Sequence, residues 1–225
     1  MKFTFVTLFS NLIEPYFHDS ILKRAIESNF ISYEFYNPRD FTTNKHKKVD
    51  EQMVGGGAGM LLTCQPLFDC LDEIKSKNAD AYIVFPLAAA KPFRQNDAKR
   101  LAKKKNIVFV SGRYEGIDER VIEKYANEVF SIGEFILTGG ELPSLVMADA
   151  ISRNVEKVLG NADSLDVESY ENNLLEAPSF AKPEIFQKLS VVKEFLKGNH
   201  SKISDLKIQM SKCKTKYYRP NKEKR

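Results

Sequence analysis

Glycine-rich turns carry the clearest chemical signal in the sequence. Nine of the 11 glycines fall into three clusters, at residues 55–59, 112–116 and 133–140. Glycine is needed where the backbone takes a positive φ or must approach a ligand closely. In parallel α/β sheets, ligands bind at the carboxyl ends of the strands. Any one cluster fits an ordinary turn. Two clusters that follow predicted strands, with a third on a long loop, favour a single pocket that holds its ligand mainly through backbone atoms.

The motifs of several other enzyme classes are missing from the sequence. There is no GxGxxG fingerprint after the first strand, no GxxxxGK[ST] phosphate loop and no GxSxG elbow. Cys64, Cys70 and Cys213 are widely spaced and form no CxxC pair, so neither a disulfide framework nor a zinc site is predicted. An enzyme with such turns would work by positioning a cofactor against its substrate, without a covalent intermediate or a metal-bound hydroxide.

An alternation of strands and helices must position these turns. Apolar, β-branched runs predict strands over residues 3–9, 31–36, 82–85, 107–110 and 128–132, and helical spacing predicts helices over residues 12–26, 66–77, 96–105, 118–125 and 141–159. This order predicts an α/β domain with a mainly parallel sheet. The strand at residues 107–110 is wholly apolar, which is typical of a strand buried on both faces.

The predicted domains differ in composition and charge. Gly160 is expected to end the α/β domain (residues 1–160), a polar linker follows (161–173), and only helical patterns remain in a small all-helical domain (174–225). Residues 1–181 contain 21 Lys and Arg against 26 Asp and Glu, whereas residues 182–225 contain 13 against 4. This basic region suggests a polyanion partner, although a lysine-rich solvated surface remains open.

The expected location follows from what the sequence lacks. No stretch approaches the roughly 20 apolar residues of a membrane span. The N-terminal segment has no signal-peptide cleavage region. With an odd number of unpaired cysteines, these features predict a cytoplasmic protein with reduced thiols.

The turns also carry recognisable motifs. The sequence reads Gly-Gly-Gly-Ala-Gly-Met over residues 55–60, Gly-Arg-Tyr-Glu-Gly-Ile-Asp-Glu-Arg over residues 112–120, and Gly-Gly-Glu-Leu-Pro over residues 139–143. With these motifs the chain closely resembles the bacterial tRNA (guanine-N1)-methyltransferases. The resemblance continues through Ser152-Arg153 and Gly198-Asn199-His200 and covers nearly the whole chain in order.

This resemblance implies a fold, a cofactor and a substrate. The implied fold is a knotted (SPOUT) parallel-sheet domain with a deep trefoil knot, followed by a small helical domain. S-adenosylmethionine would bind in the knot, in a homodimer whose active site lies between the subunits. The implied reaction is methylation of N1 of guanosine 37 in tRNA, directly 3′ to the anticodon and preceded by a guanosine. Methylation of another RNA position, or RNA binding without catalysis, are the alternatives.

By position, the resemblance assigns the cofactor contacts to three loops and the start of a helix. They are Pro86, Leu87, Gly112, Tyr114, Glu115, Ile132, Gly133, Glu134, Phe135, Ile136, Leu137, Gly139, Gly140 and Pro143. The family usually has a Ser-Pro-Gln-Gly stretch where this sequence has Pro-Leu-Ala-Ala-Ala over residues 86–90. Contacts in that loop are therefore expected to come from backbone atoms.

The resemblance also assigns catalytic roles. N1 of guanine carries a proton, so methyl transfer needs a base near that N–H and a cation near O6, where negative charge builds. The family's base is a linker aspartate beside a Ser-aromatic pair. The matching residue here is Glu168, in Glu168-Ser169-Tyr170, with Asp166 as the alternative. Arg153 matches the arginine that stabilises the oxyanion. Glu115 is expected near the cofactor and near the Mg²⁺ associated with the family's activity, although the sequence itself predicts no metal site.

Overall fold

The computed structural model describes residues 1–160, 168–170 and 173–220. The chain divides into two units, Met1–Gly160 and Asn161–Arg225, and each is described by itself.

A five-stranded parallel sheet forms the centre of the first unit. The strands of this unit, in chain order, are β1 (Lys2–Val6), β2 (Ser32–Tyr36), β3 (Asp50–Glu51), β4 (Leu61–Leu62), β5 (Tyr82–Pro86), β6 (Asn106–Val110) and β7 (Glu128–Phe130). Across the sheet the order is β2-β1-β6-β5-β7, and every neighbouring pair is parallel. The short strands β3 and β4 form a separate antiparallel pair.

Strand β6 explains why the sheet has two cores. It lies in the middle of the sheet, and all of its residues are buried. Side chains alternate across a strand, so Phe109 stacks on Phe3 and Phe5 in one core, with ring centroids 6.3 and 5.7 Å apart. Val108 and Val110 point into the other core. The continuous apolar run at residues 107–110 of this strand is thus used on both faces.

Helices cover both faces of the sheet. Helices α1 (Ser20–Glu27), α3 (Gln95–Leu101) and α5 (Glu141–Ser152) contribute buried residues to the core that contains Phe109. Helices α2 (Cys64–Lys77) and α4 (Glu119–Tyr125) contribute to the opposite core. The predicted α/β class with a parallel central sheet is confirmed.

Three helix predictions in this unit need correction. The helix expected over residues 96–105 ends at Leu101. The helix expected over residues 12–26 is broken into two 3₁₀ segments, Ser10–Leu12 and Glu14–His18, before α1 begins. Asp19 takes an extended conformation and accepts a hydrogen bond from the N–H of Ser20, so the α-helix starts there. The last helix, expected to continue to about residue 159, ends at Ser152.

The second unit contains a β-hairpin where only helices were predicted. Its described elements are β8 (Ile185–Phe186), β9 (Leu189–Ser190), a 3₁₀ segment (Lys193–Leu196) and α6 (His200–Tyr218). β8 and β9 pair antiparallel. Gln187 and Lys188, the two residues between them, both have positive φ. Such a turn matches the natural twist of two paired strands.

The prediction of an all-helical C-terminal domain, with one helix over residues 183–196, is therefore wrong at residues 185–190, and only residues 193–196 form a short 3₁₀ helix. The apolar spacing there indicated a helix, but a helix is stabilised mainly by burying its apolar face. Ile185, Phe186 and Leu189 are instead exposed. The helix α6 does form, and the Asn199 side chain caps it by accepting the N–H of Lys202 at 3.2 Å.

No helix within residues 1–160, 168–170 and 173–220 combines the length and apolar character needed to cross a membrane.

Candidate cofactor-binding site

A cavity of about 320 Å³ opens at the carboxyl ends of β5, β6 and β7. Pro86 ends β5, Gly112 follows β6 closely, and Ser131 follows β7 directly; all three line the cavity. The first turn of α5 closes another side through Pro143. Parallel strands bring their carboxyl ends to one edge of the sheet, so residues far apart in the sequence meet here.

The structure brings the sequence-predicted cofactor residues together, with one exception. Those that line the cavity are Pro86, Leu87, Gly112, Tyr114, Glu115, Ile132, Gly133, Phe135, Ile136, Leu137, Gly139, Gly140 and Pro143. Glu134 is exposed and does not line it. Residue 134 sits in the same loop as its neighbours, but loop membership in the sequence does not fix which way a side chain faces.

Several lining residues are not among the cofactor contacts that the resemblance assigns by position. They are Ala88, Arg113, Gly116, Ile117, Phe130 and Ser131. Gly116 belongs to the second glycine cluster, which was expected in the pocket, and Arg113 lies in the same continuous motif, which could have indicated it. Phe130 and Ser131 mark the end of β7, which a more accurate strand boundary would have found.

The glycine clusters contribute unequally. Five of these glycines line the cavity, all from the second and third clusters. Residues 55–57 do not line it, so the expected convergence of all three clusters is wrong for them. Gly59 comes closest, because a Cβ there would lie 2.5 Å from Cγ of Glu115, a lining residue. Of the first cluster, Gly59 thus lies next to a side chain of the cavity wall without lining the cavity itself.

Gly140 shows why side-chain-free backbone is required. Its N–H donates to the carbonyl of Gly112 at 2.8 Å. A Cβ at Gly140 would lie 2.8 Å from both the backbone nitrogen of Gly112 and Cα of Ser111. Real Cβ atoms do not approach so closely, and backbone atoms cannot move aside as a flexible side chain can. Two cavity turns are thus packed directly against each other.

Tyr114 is a strained residue in the cavity wall. It has φ of +59°, in the left-handed region that non-glycine residues rarely adopt. The turn is held by the N–H of Gly116, which donates to the carbonyl of Arg113 at 3.0 Å, and by the N–H of Glu115, which donates to Met60 at 2.9 Å. Strain of this kind persists only where the surroundings enforce it, and it clusters at ligand sites.

The three predicted catalytic residues are placed differently. Glu115 lines the cavity and is the only carboxylate among the lining residues. Arg153 follows the last residue of α5, is half-buried, and does not line the cavity. The backbone N–H of Arg153 donates to the backbone carbonyl of Asp149 at 3.1 Å. Burial raises the pKa of the Asp149 carboxyl, and the nearby Arg153 guanidinium opposes that rise.

Glu168 belongs to the second unit and is half-buried there. Its neighbours are tied to other parts of that unit. Ser169 Oγ accepts the N–H of Glu176 at 3.1 Å, and the Tyr170 hydroxyl accepts a hydrogen bond from Arg219 at 3.1 Å. The Arg219 guanidinium also lies over the Tyr170 ring, 4.8 Å from its centroid. Asp166, the alternative base, lies outside the described residues.

The donor set fits S-adenosylmethionine better than it fits a metal. Gly112, Gly139 and Gly140 line the cavity, so a ligand can contact the main chain there, and apolar side chains such as Leu87 and Ile132 complete the wall. Among the described residues, no group of three or more His, Cys, Asp or Glu could hold a metal ion. Glu115 is the one carboxylate among the lining residues, so a Mg²⁺ ion held there would take its other oxygen ligands from water and substrate.

Comparison with known proteins decides the family. A family model described as tRNA (Guanine-1)-methyltransferase TrmD matches residues 1–225. The chain belongs to this methyltransferase family.

Relatives in this family are similar over almost their whole length. A tRNA (guanine-N(1)-)-methyltransferase of Sulfurimonas denitrificans is 66% identical, over 98% of this chain and 95% of its own. The protein of the same name from Sulfurovum sp. is 66% identical, over 98% and 97%. That of Campylobacter curvus is 63% identical, over 98% and 94%. The cavity therefore lies in a member of a methyltransferase family, and a methyltransferase requires a methyl donor.

Proposed function

We propose that the protein methylates N1 of guanosine 37 in tRNA, with S-adenosylmethionine as the methyl donor. The observation that carries the proposal is the glycine-lined cavity at the carboxyl ends of β5, β6 and β7, in a chain that matches a tRNA (guanine-N1)-methyltransferase family throughout. When bound, the cofactor supplies an electrophilic methyl group on a sulfonium centre.

The lining residues bind and orient the cofactor. The turns with Gly112 and Gly140 offer backbone groups at close range, as a flat heterocycle and ribose require. Leu87, Ile132 and Leu137 supply apolar contacts. Glu115 supplies the negative charge that a cationic donor attracts.

Glu168 and Arg153 handle the proton and the charge on guanine. The Glu168 carboxylate takes the proton from N1, so that the nitrogen lone pair can attack the methyl group. The Arg153 guanidinium stabilises the negative charge that gathers on O6 as this proton leaves. Support for the first role comes from the position of Glu168 beside Ser169 and Tyr170, which are themselves anchored within the second unit. Asp166 remains the alternative base.

The second unit grips the tRNA backbone. Helix α6 exposes Lys202, Lys207, Lys212 and Lys216. Lysines of this kind neutralise phosphates and release counterions, which gives affinity without reading sequence. Residues 182–225 contain 13 basic and 4 acidic residues, and this positive balance supports the same role.

A second copy of the chain completes the enzyme in this proposal. Exposed apolar side chains lie in the segment before α1 and along α5, where Leu142 and Val146 are four residues apart on one helical face. Phe9, Leu12 and Tyr16 are exposed as well. Apolar surface of this kind on a stable domain marks an interaction site. The proposal also includes the deep trefoil knot and the use of Mg²⁺. It further includes a cytoplasmic location, which the free thiols of Cys64, Cys70 and Cys213 fit.

A methyl-transfer assay tests the proposal. Purified protein is incubated with radiolabelled S-adenosylmethionine and a tRNA transcript that carries guanosines 36 and 37. Matched transcripts replace guanosine 37 by adenosine or guanosine 36 by cytidine. We expect label only in the first transcript, with mass spectrometry placing the methyl group on N1. A methyl group on a ribose oxygen would point to another RNA position, and tRNA binding without transfer would point to a non-catalytic relative.

A further inference from the structure

Glu141 is a buried carboxylate beside the cavity that does not line it. It occupies the first turn of α5 and is only 2% exposed. The Thr7 hydroxyl, just beyond β1, donates to its Oε1 at 2.8 Å. Nε of Arg113 lies 2.9 Å from its Oε2, and since that N–H is not aligned for a hydrogen bond, the contact is an ion pair. One carboxylate thus joins the end of β1, the loop after β6 and the start of α5.

Arg113 transmits this contact to the cavity wall. Its Nη1 donates to the carbonyl of Thr138 at 3.2 Å, and its guanidinium lies 4.7 Å from the centroid of the Phe9 ring. A Cβ at Gly139 would lie 2.5 Å from Nε of Arg113 and 2.7 Å from Oε2 of Glu141. The ion pair therefore lies directly against the turn that carries Gly139 and Gly140, both of which line the cavity.

A second polar contact braces the same junction. The hydroxyls of Ser111 and Ser144 are fully buried, or nearly so, and lie 3.0 Å apart. Ser144 also donates to the carbonyl of Gly140 at 2.7 Å. The loop after β6 and the turn before α5 thus meet through side-chain contacts as well as through the hydrogen bond between Gly140 and Gly112.

Stability alone is a poor explanation for the Glu141 pair. Removing two charges from water costs about as much as their attraction returns, so an apolar pair of similar volume often stabilises a fold equally well. In several proteins a buried polar or ionic group instead selects one arrangement of the elements that it joins. Here the selected arrangement is the spacing of the two turns that form the cavity.

We infer that Glu141, oriented by Thr7, is a positioning residue for the donor site. It does not touch the ligand and acts through Arg113 and the turn at residues 138–140. The inference rests on the proposed function only in taking S-adenosylmethionine as the ligand.

The test compares Thr7→Val, Thr7→Ser and wild type. Valine keeps the volume of this buried side chain and removes the hydroxyl, whereas serine keeps the hydroxyl. We expect Thr7→Val to weaken S-adenosylmethionine binding, measured by calorimetry, by about tenfold. In the assay, KM for the cofactor should rise by a similar factor while kcat changes by less than about twofold. Thr7→Ser should restore both, because it retains the donor to Glu141.

A direct variant and its control complete the design. Glu141→Gln removes the charge opposite Arg113 and should weaken cofactor binding by more than Thr7→Val does. Glu119→Gln removes an exposed carboxylate from the equivalent first turn of α4 and should leave cofactor binding unchanged.

Three outcomes separate the possible explanations. Wild-type cofactor affinity in Thr7→Val and in folded Glu141→Gln would overturn the inference. A lower melting temperature in Thr7→Val with unchanged affinity would reduce Thr7 and Glu141 to a structural role and overturn it as well. A wild-type protein that bound no S-adenosylmethionine would instead refute the proposed function, and the positioning role with it.

Discussion

Gly140 and Gly112 are joined through their backbones, with the N–H of Gly140 2.8 Å from the carbonyl oxygen of Gly112. Gly112 lies two residues after the end of β6, and Gly140 directly precedes α5. Because no side chain separates them, the turns on either side form one wall of the cavity.

This contact predicts a severe effect of Gly140→Ala. The new Cβ would meet backbone atoms at 2.8 Å, so the two turns must move apart. Overpacking of this kind costs about 1–3 kcal/mol, and we expect affinity for S-adenosylmethionine, measured by calorimetry, to fall by about 10- to 100-fold. Gly160→Ala is the control, since a Cβ there meets nothing within 4 Å. Equal affinities in the two variants would contradict the proposed cavity.

The proposed base predicts a loss of catalysis without loss of cofactor. Glu168→Gln keeps the size of the side chain but removes its ability to accept a proton, and general-base contributions are typically about 10²–10⁴-fold. Methyl transfer should fall by that factor while calorimetric binding of S-adenosylmethionine stays unchanged. Glu168→Asp should retain activity, and Glu184→Gln, an exposed carboxylate of the same unit, should behave as wild type. Full activity in Glu168→Gln combined with inactivity of Asp166→Asn would move the role to Asp166.

Arg153 predicts a separate defect. Removing a group that stabilises a developing oxyanion typically lowers kcat by about 10²–10³-fold. We expect Arg153→Ala to lower kcat to that extent with little change in KM for the cofactor, because Arg153 does not line the cavity. A variant whose KM rises while kcat is retained would show that Arg153 serves binding instead.

The basic surface of α6 predicts salt-dependent binding of tRNA. The logarithm of the association constant should fall linearly with the logarithm of salt concentration. Removing one phosphate-binding lysine should reduce that slope by about 1. Filter binding of Lys207→Ala over a salt series measures it, with Lys23→Ala on α1 as the exposed control. Unchanged slopes in Lys202, Lys207, Lys212 and Lys216 variants would remove α6 from the tRNA interface.

The exposed apolar face of α5, formed by Leu142 and Val146, predicts a dimer that one added charge can break. Val146 on α5 is 43% exposed, and a glutamate in an apolar interface would lose its hydration without gaining a partner. We expect sedimentation to give a dimer for wild type and a monomer for Val146→Glu. Val54→Glu places the same charge at a fully exposed valine outside this face and should leave the dimer intact. A dimeric Val146→Glu protein would place the interface elsewhere.

The sheet and the edge that carries the cavity follow from the sequence alone, because they depend on local runs of residues. The continuous apolar run of β6 predicts a strand buried on both faces, because one with no polar face must be covered on both. The alternation of strands and helices predicts the parallel sheet. Glycines that follow strands predict the cavity edge, because close backbone contact tolerates no side chain, as Gly140 demonstrates.

Other features were decided by tertiary structure. Residues 55–57 are as rich in glycine as the other clusters, yet they do not line the cavity, since composition does not reveal where a long loop lies. Ile185, Phe186 and Leu189 have spacing that suits a helix, but two residues with positive φ turn the segment into a hairpin. Glu141 is the clearest case. Its sequence position marks only the start of a helix, whereas its role depends on Thr7 and Arg113, which are distant in the chain and reach the same carboxylate only after the sheet has formed.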